Sequence, residues 1–171
     1  FEGLYQCTTK HFTEKVQLCS RTMPGKAKLN EMIEYLVSHF SGNALTRTKL
    51  VKLLYLADRE SYIVRDRQIS NLKYIKYHYG PYSEDIVDTL QEMDGEEIRE
   101  LSGRSSNGTY YRYEANSDYE SSTLTREERA ILRQVLQEYQ NTQTKQLVET
   151  VYDLDGLDDV EKYTPLLQGS N

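Results

Sequence analysis

The stretch Lys73-Tyr74-Ile75-Lys76-Tyr77-His78-Tyr79-Gly80-Pro81-Tyr82-Ser83-Glu84-Asp85 constrains the fold more than any other part of the sequence. Tyrosine and isoleucine alternating with lysine suit an extended, half-buried backbone. Gly80-Pro81 halts that extension, because proline brings no N–H to a ladder and glycine supplies turn conformations. Ser83 followed by Glu84 and Asp85 then reads as an N-cap with acids at the positive end of a new helix. Strand, stop and helix start in one short segment predict a mixed fold. The segment is of a recognition type, aromatic and basic, and no residue cluster in it announces a reaction.

Around it the hydrophobic spacing is helical. Leu29, Met32, Ile33, Leu36, Val37 and Phe40 form a stripe that ends at Ser41-Gly42-Asn43. Leu45-Thr46 opens a second helix, in which Leu50, Val51, Leu53, Leu54, Ala57 and Ile63 face inward while Arg47, Lys49, Lys52 and Arg59 point elsewhere. So wide an apolar face predicts a central helix. A third helix from Ser83 presents Ile86, Val87, Leu90 and Met93 and stops at Asp94-Gly95. Ile98 and Leu101, then Ser105-Ser106-Asn107-Gly108, then Tyr110, Tyr111 and Tyr113 read as a hairpin, with Asn107-Gly108 supplying the positive φ values of a tight turn. Thr125 and Glu128 make a capping box for a helix carrying Ile131, Leu132, Val135, Leu136 and Tyr139. A last helix carries Leu147, Val148, Val151, Tyr152 and Leu154, and Tyr163-Thr164-Pro165-Leu166 is expected to pack back onto the body. The fold class is therefore α+β, mainly α: a helical domain with a small antiparallel β-hairpin and a winged-helix-like order of elements. Residues 1–28, weakly periodic and closed by a Met23-Pro24-Gly25-Lys26 turn, read as an N-terminal extension, and residues 29–171 as the domain.

A length of 171 residues suits one such core. Fifteen Tyr against three Phe and no Trp is a skewed aromatic set, and tyrosine, with one polar end, favours half-buried surfaces. The formal charge of −6 argues against coating nucleic acid by bulk electrostatics. That charge is uneven: residues 44–81 hold eight Lys/Arg and three Asp/Glu, whereas residues 82–101 hold eight acids and one base, Arg99. Cys7 and Cys19 are too few for a disulfide framework and no secretory leader is evident, so a cytoplasmic location is expected. No apolar run approaches the roughly 20 residues that span a bilayer. Cys7, His11 and Cys19 offer zinc-type donors, but only the Cys7/His11 step has ligand spacing and no fourth ligand is near, so no metal site is expected. His39 near a helix end and His78 in the tyrosine strand read as structural. With no Gly-rich phosphate loop, paired-His zinc helix or nucleophile elbow, neither an enzyme nor a cofactor is expected.

Three pieces in order, the helix Leu50-Val51-Lys52-Leu53-Leu54-Tyr55-Leu56-Ala57-Asp58, the strand closing in Tyr79-Gly80-Pro81 and the late helix start Leu124-Thr125-Arg126-Glu127-Glu128, resemble the SocA-like Panacea antitoxin domain. The likeness runs from about Leu29 to Leu167. It implies a mostly helical domain that neutralises a toxin encoded by a neighbouring gene through protein–protein contact, with no catalytic residues. The Cys-containing segment before Leu29 departs from the pattern.

Tyrosine is enriched at interface hot spots, which makes Tyr74, Tyr77, Tyr79, Gly80, Pro81 and Tyr82 the expected partner-binding residues. Alternate strand positions face the core, so some of these rings are packing. The alternative is a DNA-binding transcriptional regulator with a winged-helix-like fold. Its reader would be the helix from Ser83, whose Glu84, Asp85, Asp88, Gln91 and Glu92 would be repelled by phosphate. Contact with nucleic acid would then fall to Arg47, Lys49 and Lys52 on the second helix and Arg104 at the hairpin turn.

Overall fold

The structure, a computed structural model, describes residues 24–168. Cys7, His11 and Cys19 lie outside the described residues. In chain order the elements are α1 (Pro24–His39), α2 (Arg47–Arg65), β1 (Tyr74–Tyr77), β2 (Gly80–Tyr82), α3 (Glu84–Met93), β3 (Ile98–Ser105), β4 (Gly108–Ala115), α4 (Arg126–Tyr139), α5 (Thr144–Asp155), a 3₁₀ turn (Leu157–Asp159) and β5 (Pro165–Leu166). A mainly helical α+β fold is what the spacing predicts.

Every residue of α2 from Lys49 to Asp58 is buried, and a helix covered on all sides runs through the middle of its domain. The Thr46 hydroxyl accepts from Lys49 N and starts it. α1, α4 and α5 pack around it. Its last turn leaves the core: Ile63, expected to face inward, is 61 % exposed. The α1 start also differs from expectation. The Pro24-Gly25 pair, read as a turn, lies inside the helix, where proline is tolerated in a first turn because the N–H it lacks has no intrahelical partner.

Charged clamps fasten the connections to this core. The buried Asp58 carboxylate accepts from Ile69 N (2.8 Å), Ser70 N (2.9 Å), Tyr74 OH (2.8 Å) and the Ser70 hydroxyl, folding the chain after α2 back toward β1. Burial pushes its pKa up even against those donors. Glu31 on α1 holds the approach to α4, accepting from Tyr119 OH (2.8 Å), Leu124 N (3.0 Å) and the amides and hydroxyls of Ser122 and Thr123. Burial opposes its ionisation, but these donors win and hold its pKa down at about 2. Glu128 completes the Thr125 capping box and also accepts from Lys28 (2.6 Å) and Arg65 (3.1 Å), tying α1, α2 and α4 together.

Two antiparallel sheets flank the helices. β3 and β4 pair from Ile98↔Ala115 to Ser105↔Gly108. The link before α2 joins their edge through a Thr46↔Arg112 bridge and a bond from Tyr113 N to Leu45 O at 3.0 Å. The other sheet has the order β2-β1-β5, so the tail does pack back: Tyr74 pairs with Leu166 and Ile75 with Pro165.

Both turns fall earlier than the sequence suggests, by two residues between β1 and β2 and by one between β3 and β4. Gly80-Pro81 does not end the strand; it begins β2, opposite Tyr77 and Lys76, and His78-Tyr79 makes the turn. Likewise Ser106-Asn107 turns and only Gly108 has positive φ (115°), so Asn107 does not adopt the expected conformation. The shared device is a two-residue turn without positive φ, followed by a positive-φ glycine that opens the second strand. Ser83 occupies the N-cap of α3, but its side chain makes no capping bond; Glu84 and Asp85 in the first turn remain to favour the helix.

Candidate partner-docking surface

The β1–β2 hairpin positions its tyrosines unequally. Tyr74 is 1 % exposed, its hydroxyl spent on Asp58 and its ring edge-on to Tyr55 at 5.1 Å, so it is interior and corrects the expectation of a surface contact. Gly80 and Pro81 are also buried. Gly80 is demanded twice: its φ is +87°, and a Cβ there would stand 3.0 Å from the Tyr152 ring. Pro81 offers its carbonyl inward, where Lys52 Nζ donates to it at 2.7 Å.

Tyr77, Tyr79 and Tyr82 reach the surface. Tyr79, at the turn, is 67 % exposed. The Tyr77 ring lies 5.3 Å from Tyr82, 4.4 Å from His78 and 5.8 Å from Tyr163. Tyr163 (59 % exposed) arrives from the tail, and Lys162 Nζ sits 4.9 Å from the Tyr77 ring centre, 5.0 Å from that of Tyr163 and 3.0 Å from His78 Nε2. The sequence reading missed Lys162, Tyr163 and His78 as members of this patch. The tail's return to β1 brings the first two in, and β pairing across that distance leaves only the faint signal of Pro165-Leu166.

Beneath the rings, between the hairpin and the first turns of α2, lies a cavity of about 180 Å³ lined by Val51, Arg47, Lys52, Tyr77, Tyr79 and Tyr82 among others. Lys52 is 3 % exposed, and burial draws its pKa down to about 7. Burial also raises the Tyr82 phenol, helped by the charge of Glu84.

The four cations of the nucleic-acid alternative do not form one face. Lys49 and Lys52, expected to point outward, are buried: Lys49 Nζ donates to the α4 end at Gln140 O (2.5 Å) and Thr142 O (2.7 Å). A lysine carries a long apolar stem, so it can pack into a core provided its tip finds carbonyls. Arg47 donates to Tyr113 OH (2.8 Å) and Glu100 (2.7 Å) and stacks over Tyr111 at 4.1 Å. Arg104 alone of the four is exposed and unengaged among the described residues, on β3 opposite Thr109. On α3 the exposed residues are Glu84, Asp85, Asp88, Gln91 and Glu92. Among the described residues there is no group of three or more His, Cys, Asp or Glu placed to hold a metal ion, and no helix is long and apolar enough to cross a membrane.

The hairpin thus displays aromatic rings beside fixed cations on a small, mainly helical α+β domain. Residues 50–155 match the family described as antitoxin SocA-like, Panacea domain, and the chain belongs to that family. The match runs from the first buried turn of α2 to the end of α5, narrower than the span over which the sequence shows the likeness. No curated protein matches the chain.

Proposed function

We propose that this domain is a non-catalytic, cytoplasmic antitoxin that neutralises a toxin encoded by a neighbouring gene, covering it with the face made by Tyr77, Tyr79, Tyr82 and Tyr163. The observation that carries the reading is this exposed tyrosine cluster on a doubly braced hairpin, in a chain of an antitoxin family. Rings held by β pairing and by Lys162 lose little freedom on binding, which favours affinity. Tyr74, Gly80 and Pro81 act from below by fixing the hairpin. The inhibition is stoichiometric occlusion, and the cations at the rim steer the encounter more than they add to affinity.

Coexpression with the product of the adjacent gene tests it. Tyr77→Ala, Tyr79→Ala or Tyr82→Ala is expected to weaken copurification and rescue, at least one of them by about 2 kcal/mol or more of affinity. Thermal melting is expected to stay close to that of the parent for the exposed Tyr79. Rescue unaffected by all three changes sinks the reading, and a promoter shift without rescue supports the transcriptional regulator instead.

A further inference from the structure

The cavity under the rings has a chemistry that singles out an occupant. Two cations line it and no carboxylate does, in a chain of net charge −6. Arg47 has its counter-ion in Glu100, outside the lining. Lys52 has none: among the described residues its Nζ has one acceptor, the Pro81 carbonyl. An ammonium carries three donors, and a buried one with a single neutral acceptor keeps capacity for an anion. The remaining walls are mainly apolar or aromatic, Val51 and the three tyrosines, with Thr48 and Gly80.

We infer that this cavity receives the C-terminal residue of the partner protein, its apolar side chain against the rings and its α-carboxylate toward Lys52 and Arg47. Size selects a chain end. About 180 Å³ admits roughly one side chain, so the apolar group and the anion must belong to one residue. In a protein, only the last residue carries an apolar side chain and a carboxylate on the same Cα; an internal Asp or Glu brings the anion without the apolar part. Capture of a terminal carboxylate is an established mode of peptide recognition, and here it neutralises the buried cation that lacks a counter-ion. The inference rests on the docking reading above and names the anchor point of that surface.

Synthetic hexapeptides of one Gly/Ser sequence test it, ending in Phe as free acid, Phe as amide or Ala as free acid, with N-acetylphenylalanine as the small-molecule probe. Binding to the full chain is followed by calorimetry and by NMR shifts of the tyrosine rings. The Phe acid is expected to bind, with amidation or Ala each weakening it by about tenfold or more. Tyr79→Ala, on the exposed rim, should weaken it severalfold with melting unchanged, and Lys52→Gln should erase the preference for acid over amide. Equal binding of acid and amide, or no binding up to millimolar peptide, overturns the inference. So does N-acetylphenylalanine binding as tightly as the hexapeptide, which assigns the cavity to a small molecule. Indifference to the peptide end together with rescue lost in the tyrosine variants removes this inference alone; rescue intact in those variants removes the docking reading and this inference with it.

Discussion

A carboxylate surrounded by six donor atoms, as Glu31 is by those of Tyr119, Ser122, Thr123 and Leu124, cannot become an amide without turning N–H against N–H. Its pKa of about 2 lies below the 4.5 of an unperturbed glutamate, so its stabilisation is complete above about 4.5 and is lost as pH falls toward 2. Glu31→Gln is therefore expected to cost about 2–3 kcal/mol at pH 7 and about half that at pH 3, read from denaturant midpoints at the two pH values. Lys52 is also lowered, by burial alone, so its stability slope has the same sign in a higher pH window. With a folded pKa of about 7 against 10.5 for a free lysine, the unfolded chain holds a proton that the folded one has released between those values. Stability should thus rise by about 1–3 kcal/mol from pH 7 to pH 9. Lys52→Met should flatten that rise, leaving a smaller one from Lys49, whose pKa burial also lowers. A rise of the same size in the variant would show that Lys52 is not its source.

At the level of elements, the tyrosine hairpin depends on one backbone position. Gly80→Ala forces a side chain into positive φ and into contact with Tyr152, and should cost about 2 kcal/mol or more in thermal or denaturant unfolding. The equivalent change at Gly95 meets open space, so only the φ penalty should appear there. The element boundaries that could be read in advance are those whose signals are local: the Thr125/Glu128 capping box, the Thr46 cap and the helical stripes. Gly80-Pro81 and Asn107-Gly108 announced turns but not which residues would turn. A glycine that opens the strand after a two-residue turn and a glycine inside the turn leave the same letters in the sequence.

For the whole molecule, periodicity sufficed for the fold class because burial of an apolar stripe depends on nearest neighbours along the chain. The candidate surface was half legible. Tyr77, Tyr79 and Tyr82 could be named from their segment, whereas Tyr74 could not be assigned inward without the Asp58 that ties it there. Lys49 and Lys52 could not be assigned inward without the carbonyls they reach, at Gln140, Thr142 and Pro81. Lys162 and Tyr163 belong to the patch only through the pairing of β5 with β1. Deleting residues 161–171 should leave the helical core folded but speed hydrogen exchange at the Lys76 amide, which donates to Thr164 O at 2.8 Å, and weaken toxin binding. Unchanged exchange there would mean the tail does not brace the hairpin. Because β5 lies far along the chain from the β1 it braces, the tyrosine platform is completed only after every helix between them has been made. A chain synthesised only as far as α5 has its central helix but not the edge strand that holds the rings in place.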